Sequence, residues 1–139
     1  MELKDNSKIY VDTNLFIYYF ENNQKYVHKV EKLFGESLNK NIQIICSELL
    51  YLELLVLPYT KNNIRVINLY KNLEKYIPNL TLMPISKKIL IESAKIRSNY
   101  SFRSPDSIHL ATAFTEKCKY FYGSDKKLKS YKETHVEII

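Results

Sequence analysis

Four acidic residues, Asp12, Glu53, Asp106 and Asp125, stand just after apolar strand-like runs or in the helical stretches beside them. Asp12 directly follows Ile9-Tyr10-Val11, and Asp125 follows Tyr120-Phe121-Tyr122 after Gly123-Ser124. Asp106 lies in the first turn of a stretch opened by Ser104-Pro105, and Glu53 lies within Leu49 to Leu57. Each has a plain reading when taken alone. Asp12, Asp106 and Asp125 suit helix starts, where a carboxylate meets unpaired N–H groups and gains about 0.3–1 kcal/mol from the helix dipole. Glu53 sits in a segment apolar on nearly every face, and an unpaired buried carboxylate is costly. It therefore faces a polar pocket, a partner cation or a narrow solvated stripe. As a set the acids say more. Two carboxylates about 5 Å apart repel by about 3 kcal/mol at an effective dielectric of about 20, so protons or a cation must neutralise them. Oxygen ligands without a His or Cys cluster suit a hard cation, Mg²⁺ or Mn²⁺. Such a cation activates water and stabilises charge in phosphodiester cleavage.

The rest of the composition agrees with a nucleic-acid substrate without requiring it. The 139 residues carry a formal net charge of +6. That excess suits a phosphate-rich partner and equally suits a solvated lysine surface. Lys126, Lys127, Lys129 and Lys132 cluster after Asp125 and have the same two readings. Cys46 and Cys118 stand alone, with neither the paired spacing of a zinc site nor a disulfide framework, which points to a reducing compartment. The first eight residues are too polar for a signal peptide. The longest apolar runs, 9–20 and 49–57, are short for a bilayer span and carry Asp12, Asn14 and Glu53. The expectation is a cytoplasmic protein without a membrane segment, one domain over residues 1–139.

Positioning the acids takes a regular scaffold, and with only 2 Gly and 4 Pro most residues must lie in regular elements. Apolar β-forming runs predict strands at 9–11, 42–46, 80–83, 120–122 and 136–139. Apolar spacing and caps predict helices at 13–20 and at 27–38, and one from Ser47 to Leu57 stopped by Pro58. Others follow over about 66–77, from Ser86 to about Ser98, and from Ser104 to about Lys117. Alternating strands and helices mean a parallel sheet covered by helices. Ligand sites in such sheets lie beyond the carboxyl ends of the strands, where the acids fall.

These residues resemble the PIN domain family, and within it the VapC-type ribonuclease toxins of toxin–antitoxin pairs. The matching segments are Ile9 to Asn14, Ser47-Glu48-Leu49 leading to Glu53, Arg103 to Ala113, and Gly123-Ser124-Asp125. The most specific are Asp12-Thr13-Asn14 and the block from Asp106 through Ile108-His109-Leu110-Ala111-Thr112-Ala113. The resemblance implies a three-layer α/β/α fold with a central parallel sheet of about five strands. It implies that Asp12, Glu53, Asp106 and Asp125 bind Mg²⁺ or Mn²⁺ for RNA hydrolysis. Thr13 and Asn14 would orient Asp12 or a water at the metal, and Ser124 stands where the family has a small hydroxyl residue. It further implies a small antitoxin partner and a homodimer. The helices around 27–38 and 64–77, with Tyr26, Tyr70 and Tyr76, would offer the antitoxin an apolar groove.

Two neighbouring residues are ambiguous. Arg103, just before the helix carrying Asp106, either holds a phosphate or pairs with an acid. His109 lies one turn after Asp106 but sits among Ile, Leu and Ala, and reads best as a histidine satisfied against a neighbouring element, outside the site. Three other functions compete with a toxin nuclease: a housekeeping RNA-processing PIN nuclease, a non-catalytic RNA- or protein-binding module, and a DNA reader. The four acids argue against the second, and the lack of a basic recognition helix argues against the third.

Overall fold

In the computed structural model, which describes residues 3–139, the five strands form one parallel sheet. They are β1 (Lys8–Val11), β2 (Gln43–Ser47), β3 (Leu80–Met83), β4 (Tyr120–Gly123) and β5 (His135–Ile138). Their spatial order is β3-β2-β1-β4-β5. Seven helices connect them: α1 (Thr13–Phe20), α2 (Val27–Asn39), α3 (Leu49–Thr60), α4 (Ile64–Tyr70), α5 (Leu73–Tyr76), α6 (Lys87–Asn99) and α7 (Ser104–Thr115). A short 3₁₀ turn, Lys126–Ser130, leads into β5. Crossovers between parallel strands are right-handed as a rule, which with this strand order puts the connections through α1–α5 on one face of the sheet and the one through α6 and α7 on the other. The fold is α/β with helices flanking a central parallel sheet, as expected.

Burial on both faces explains the strand composition. Ile9, Tyr10 and Val11 of β1 and Ile44, Ile45 and Cys46 of β2 are all buried, as a sheet covered on both sides requires. The chain leaves β1 toward β2 and β3, then returns to lay β4 on the other side of β1. The strand order thus reverses between β1 and β4, and that is where a parallel sheet opens a crevice. Asp12 follows β1, and Ser124-Asp125 follows β4.

Helix boundaries differ from expectation in three places. Ser47 does not open α3; it ends β2, and α3 begins at Leu49 after the N-cap Glu48. Pro58 does not stop α3, which runs to Thr60 with Pro58 inside its last turn. A proline there removes one N–H while the turn beyond it still closes. The helix ends at Thr60 with Lys61 as its C-cap, and Asn62, with a φ of 50°, turns the chain away beyond it. The helix expected over 66–77 is two, α4 and α5. Asn72 breaks it with φ −132° and ψ 35°, and its side-chain amide donates to the Asn68 carbonyl, satisfying one of the last acceptors of α4.

The segment Leu49 to Leu57 is not buried all round. Leu50 and Leu54 face the core, while Leu52, Val56 and Leu57 are exposed, at 64%, 59% and 56%. Cys46 and Cys118 are both buried free thiols. Among the described residues no helix is long and apolar enough to cross a membrane.

Candidate functional site

The crevice between β1 and β4 is built around Asp12. The Asp12 backbone N–H still donates to the Tyr122 carbonyl, extending the sheet by one residue, and the next residue opens α1. Asp12 is the N-cap of α1, and its Oδ1 accepts from the Thr13 N–H at 2.8 Å. Its carboxyl is buried, which raises its pKa. The negative charges of Glu53 and Asp106 raise it further, against the opposing pull of His109 and the Thr13 N–H. Across the crevice, a Cβ at Gly123 would stand 3.6 Å from Asp12 Oδ2 and 3.0 Å from the ring of Phe121. The carboxylate would be in ordinary van der Waals contact, whereas the Phe121 ring would have to give way, so it is Phe121 that favours glycine in this wall of the crevice.

Glu53 is held beside Asp12 by its neighbours. Its Oε1 accepts from the Thr13 hydroxyl at 2.8 Å and lies 2.6 Å from His109 Nε2. Burial alone would raise its pKa. The hydrogen bond and charge of His109, the Thr13 hydroxyl and the nearby Arg103 outweigh that and bring it below the usual carboxylate value. Of the environments open to Glu53, the polar pocket and the solvated stripe are combined: Thr13 and His109 hold one oxygen while the side chain stays one-third exposed.

His109 is thus a satisfied buried histidine, but the groups satisfying it belong to this site. It is 1% exposed, its Nε2 lies 3.5 Å from Asp12 Oδ1, and its Nδ1 bonds the Tyr10 hydroxyl. Burial opposes its protonation. The Asp12 carboxylate, the adjacent Cys46 and Glu53 more than offset burial and raise its pKa well above the usual value. The Tyr10 hydroxyl in turn accepts from the buried Ser47 N–H at 2.9 Å, so the chain of contacts ends on β2. The spacing from Asp106 to His109 was visible in the sequence. The missing signal was Tyr10, a phenol in a buried strand that needs a partner on the helix above it.

The remaining acids stand apart. Asp106 is in the first turn of α7, where the dipole favours it, and its Oδ2 meets Arg103 Nε at 3.3 Å. Of its two readings, Arg103 takes the acid pair, while its side chain is 80% exposed at the rim. Asp125 caps the turn after β4 by accepting from the Lys127 N–H, which is its plain reading. Asn14 donates to Ser124 Oγ at 2.9 Å and ties the start of α1 to the end of β4. As the side chains stand, no group of three or more His, Cys, Asp or Glu among the described residues already forms a cation site. The donors themselves fit a hard cation. They are carboxylate oxygens, and Asp12 carries the like-charge repulsion that a bound cation would relieve.

Asp12 at the β1/β4 switch point, joined to Glu53 through Thr13 and His109, defines a site of acids at the carboxyl ends of a parallel sheet. The chain belongs to the PIN domain family, whose sequence model matches residues 9–133. Solved structures share the fold. VapBC2 from Rickettsia felis, bound to a DNA fragment from its promoter, is 17% identical over 94% of this chain and 98% of that chain, with a TM-score of 0.66. A toxin–antitoxin complex from Klebsiella pneumoniae is 19% identical over 91% and 94%, with a TM-score of 0.67. FitAcB from Neisseria gonorrhoeae is 18% identical over 92% and 95%, with a TM-score of 0.64. A search of curated proteins returned no match.

Proposed function

We propose that this chain is a divalent-metal-dependent endoribonuclease and the toxin of a toxin–antitoxin pair. The observation that carries the nuclease reading is the buried Asp12 carboxylate at the β1/β4 switch point, with Glu53 tied beside it through Thr13 and His109. Carboxylate oxygens gathered at the carboxyl ends of parallel strands are donors for a hard cation. Asp12, Glu53, Asp106 and Asp125 would hold Mg²⁺ or Mn²⁺, with Asp106 giving up its contact with Arg103. The bound cation supplies Lewis-acid activation of water and charge stabilisation at a phosphodiester. The chain's own groups do the rest. Thr13 fixes Asp12 through its N–H and Glu53 through its hydroxyl, and Asn14 with Ser124 braces the mouth of the crevice. Arg103, exposed at the rim, would meet a phosphate once released from Asp106.

The toxin reading draws on the structural neighbours, VapBC2 and a toxin–antitoxin complex among them, and on apolar surface left uncovered. A groove between α2 and α5 is lined by Tyr19, Phe34, Gly35, Leu38 and Tyr76. A second runs beside Glu53 between α1, α3 and α4, lined by Ile17, Leu54, Leu57, Pro58 and Val66. Tyr70, expected at such a surface, is instead buried and donates to Glu21. An antitoxin tail in the second groove would place a basic side chain against Glu53. The exposed Leu52, Val56 and Ile64 beside it suit a second copy of the chain. The test is expression of the wild type and of Asp12→Asn, each alone and with its genomic neighbour. Growth arrest with RNA loss from the wild type alone, relieved by the neighbour and absent in Asp12→Asn, is expected. A harmless wild type that captures no small partner would overturn the toxin reading.

A further inference from the structure

The two hydrogen bonds to Glu53 both fall on one oxygen. Thr13 Oγ1 and His109 Nε2 each meet Oε1, while Oε2 has no partner among the described residues. An ionised carboxylate only accepts, so Nε2 must carry the hydrogen whether the imidazole is neutral or charged. The ring cannot swing away from this contact. It is buried, its Nδ1 is tied to the Tyr10 hydroxyl, and Tyr10 is held by the Ser47 N–H and stacked on Phe121 at 5.0 Å. Glu53 itself sits on the exposed side of α3 with its side chain one-third exposed, so without these donors it would have several rotamers open to it.

We propose that His109 is a positioning residue that, with Thr13, ties down Oε1 of Glu53 and presents Oε2 to the crevice beside Asp12. This rests on the nuclease reading and deepens it. A ligand held in one orientation binds a cation more tightly than one that must be ordered first. Removing the group that orients a ligand typically weakens metal affinity by about 10–100-fold.

His109→Gln and His109→Asn separate positioning from mere filling of the core. The Gln amide reaches where Nε2 stands and can donate to Glu53. The Asn amide reaches only where Nδ1 stands and can bond Tyr10. The measurements are Mn²⁺ titration by calorimetry, kcat and KM on a single-stranded RNA, and melting temperature without metal. His109→Gln should bind Mn²⁺ within about 3-fold of the wild type. His109→Asn, folded and melting close to His109→Gln, should bind about 10-fold or more weakly. Its kcat at fixed subsaturating metal should fall while KM for RNA stays. Equal Mn²⁺ affinity in the two variants would overturn the positioning role and leave the nuclease reading intact. A wild type that binds no Mn²⁺ and cuts no RNA would overturn both.

Discussion

The Tyr10 hydroxyl is the anchor of the site's buried network, and Tyr10→Phe isolates it. The ring is fully buried and keeps its stacking on Phe121 in the variant. Burial also holds the phenol protonated, its pKa well above the ordinary value, so the hydroxyl is present across the working pH range. Two partners lose it, the Ser47 N–H on β2 and His109 Nδ1 on α7, and both residues are 1% exposed. Each buried polar group left unpaired costs about 1–3 kcal/mol. The imidazole retains its other bond and can shift slightly, so the variant should lose about 2–4 kcal/mol in all. Unfolding entropy scales at about 2.1 cal/mol/K per residue, or about 0.3 kcal/mol/K for this chain, which converts the loss to a drop in Tm of about 10 °C. The assay is thermal unfolding followed by circular dichroism in chelator, with Tyr76→Phe as the control. Tyr76 is 57% exposed, and its variant should melt within about 1 °C of the wild type. A Tyr10→Phe shift below about 3 °C would refute the claim that this hydroxyl satisfies two buried groups.

Asp12→Asn should raise the Tm of the metal-free protein at neutral pH. The Asp12 pKa is higher in the folded chain than in the unfolded one, so the stability linked to its proton is full below the ordinary carboxylate value, about 3.9, and is lost as pH rises through the raised value. The variant has no such loss, so its advantage should shrink as pH falls toward that value; a gap that widens on acidification would contradict the sign. Gly123→Ala should cost about 1–3 kcal/mol and most of the activity, because its Cβ meets the buried, stacked Phe121 at 3.0 Å; wild-type melting and rates would show that the wall can give. Arg103→Ala should leave Tm within about 1 °C, since the Arg103 side chain is 80% exposed and meets Asp106 through a single 3.3 Å contact, while raising KM for RNA several-fold; an unchanged KM would remove Arg103 from the substrate contact.

The sheet was legible because a parallel strand buried on both faces writes itself as a short apolar run. All five runs, including Leu80 to Met83, became strands. The helix ends were less legible where the local sequence allows more than one stop. Pro58 fits a last turn as well as a terminus, and Asn72 leaves the helical conformation with its side chain bonded to the Asn68 carbonyl, an arrangement that apolar spacing does not announce. At the site, the position of Asp12 followed from the strand before it and the helix after it. The partners of Glu53 did not. Thr13, His109 and Glu53 come from α1, α7 and α3, and no spacing along the chain states that three helices converge. Tyr10 and His109 were read as core because each stands among apolar neighbours in the sequence, and such a run does not say what the polar tip of a side chain touches.

The central claim is that the acids at the carboxyl end of the sheet work through a divalent cation, and a metal titration of RNA cleavage tests it most directly. Purified wild type and Asp12→Asn are stripped with chelator, and single-stranded RNA cleavage is followed as Mg²⁺ or Mn²⁺ is added back. The wild type should be inactive without metal, should recover with added Mg²⁺ or Mn²⁺ and not with Na⁺ at matched ionic strength, and should cut faster from mildly acidic to mildly alkaline pH. Asp12→Asn should stay at least about 100-fold slower at every metal concentration. Cleavage by the wild type that persists in excess chelator, or an Asp12→Asn variant that cuts as fast as the wild type, would contradict the account.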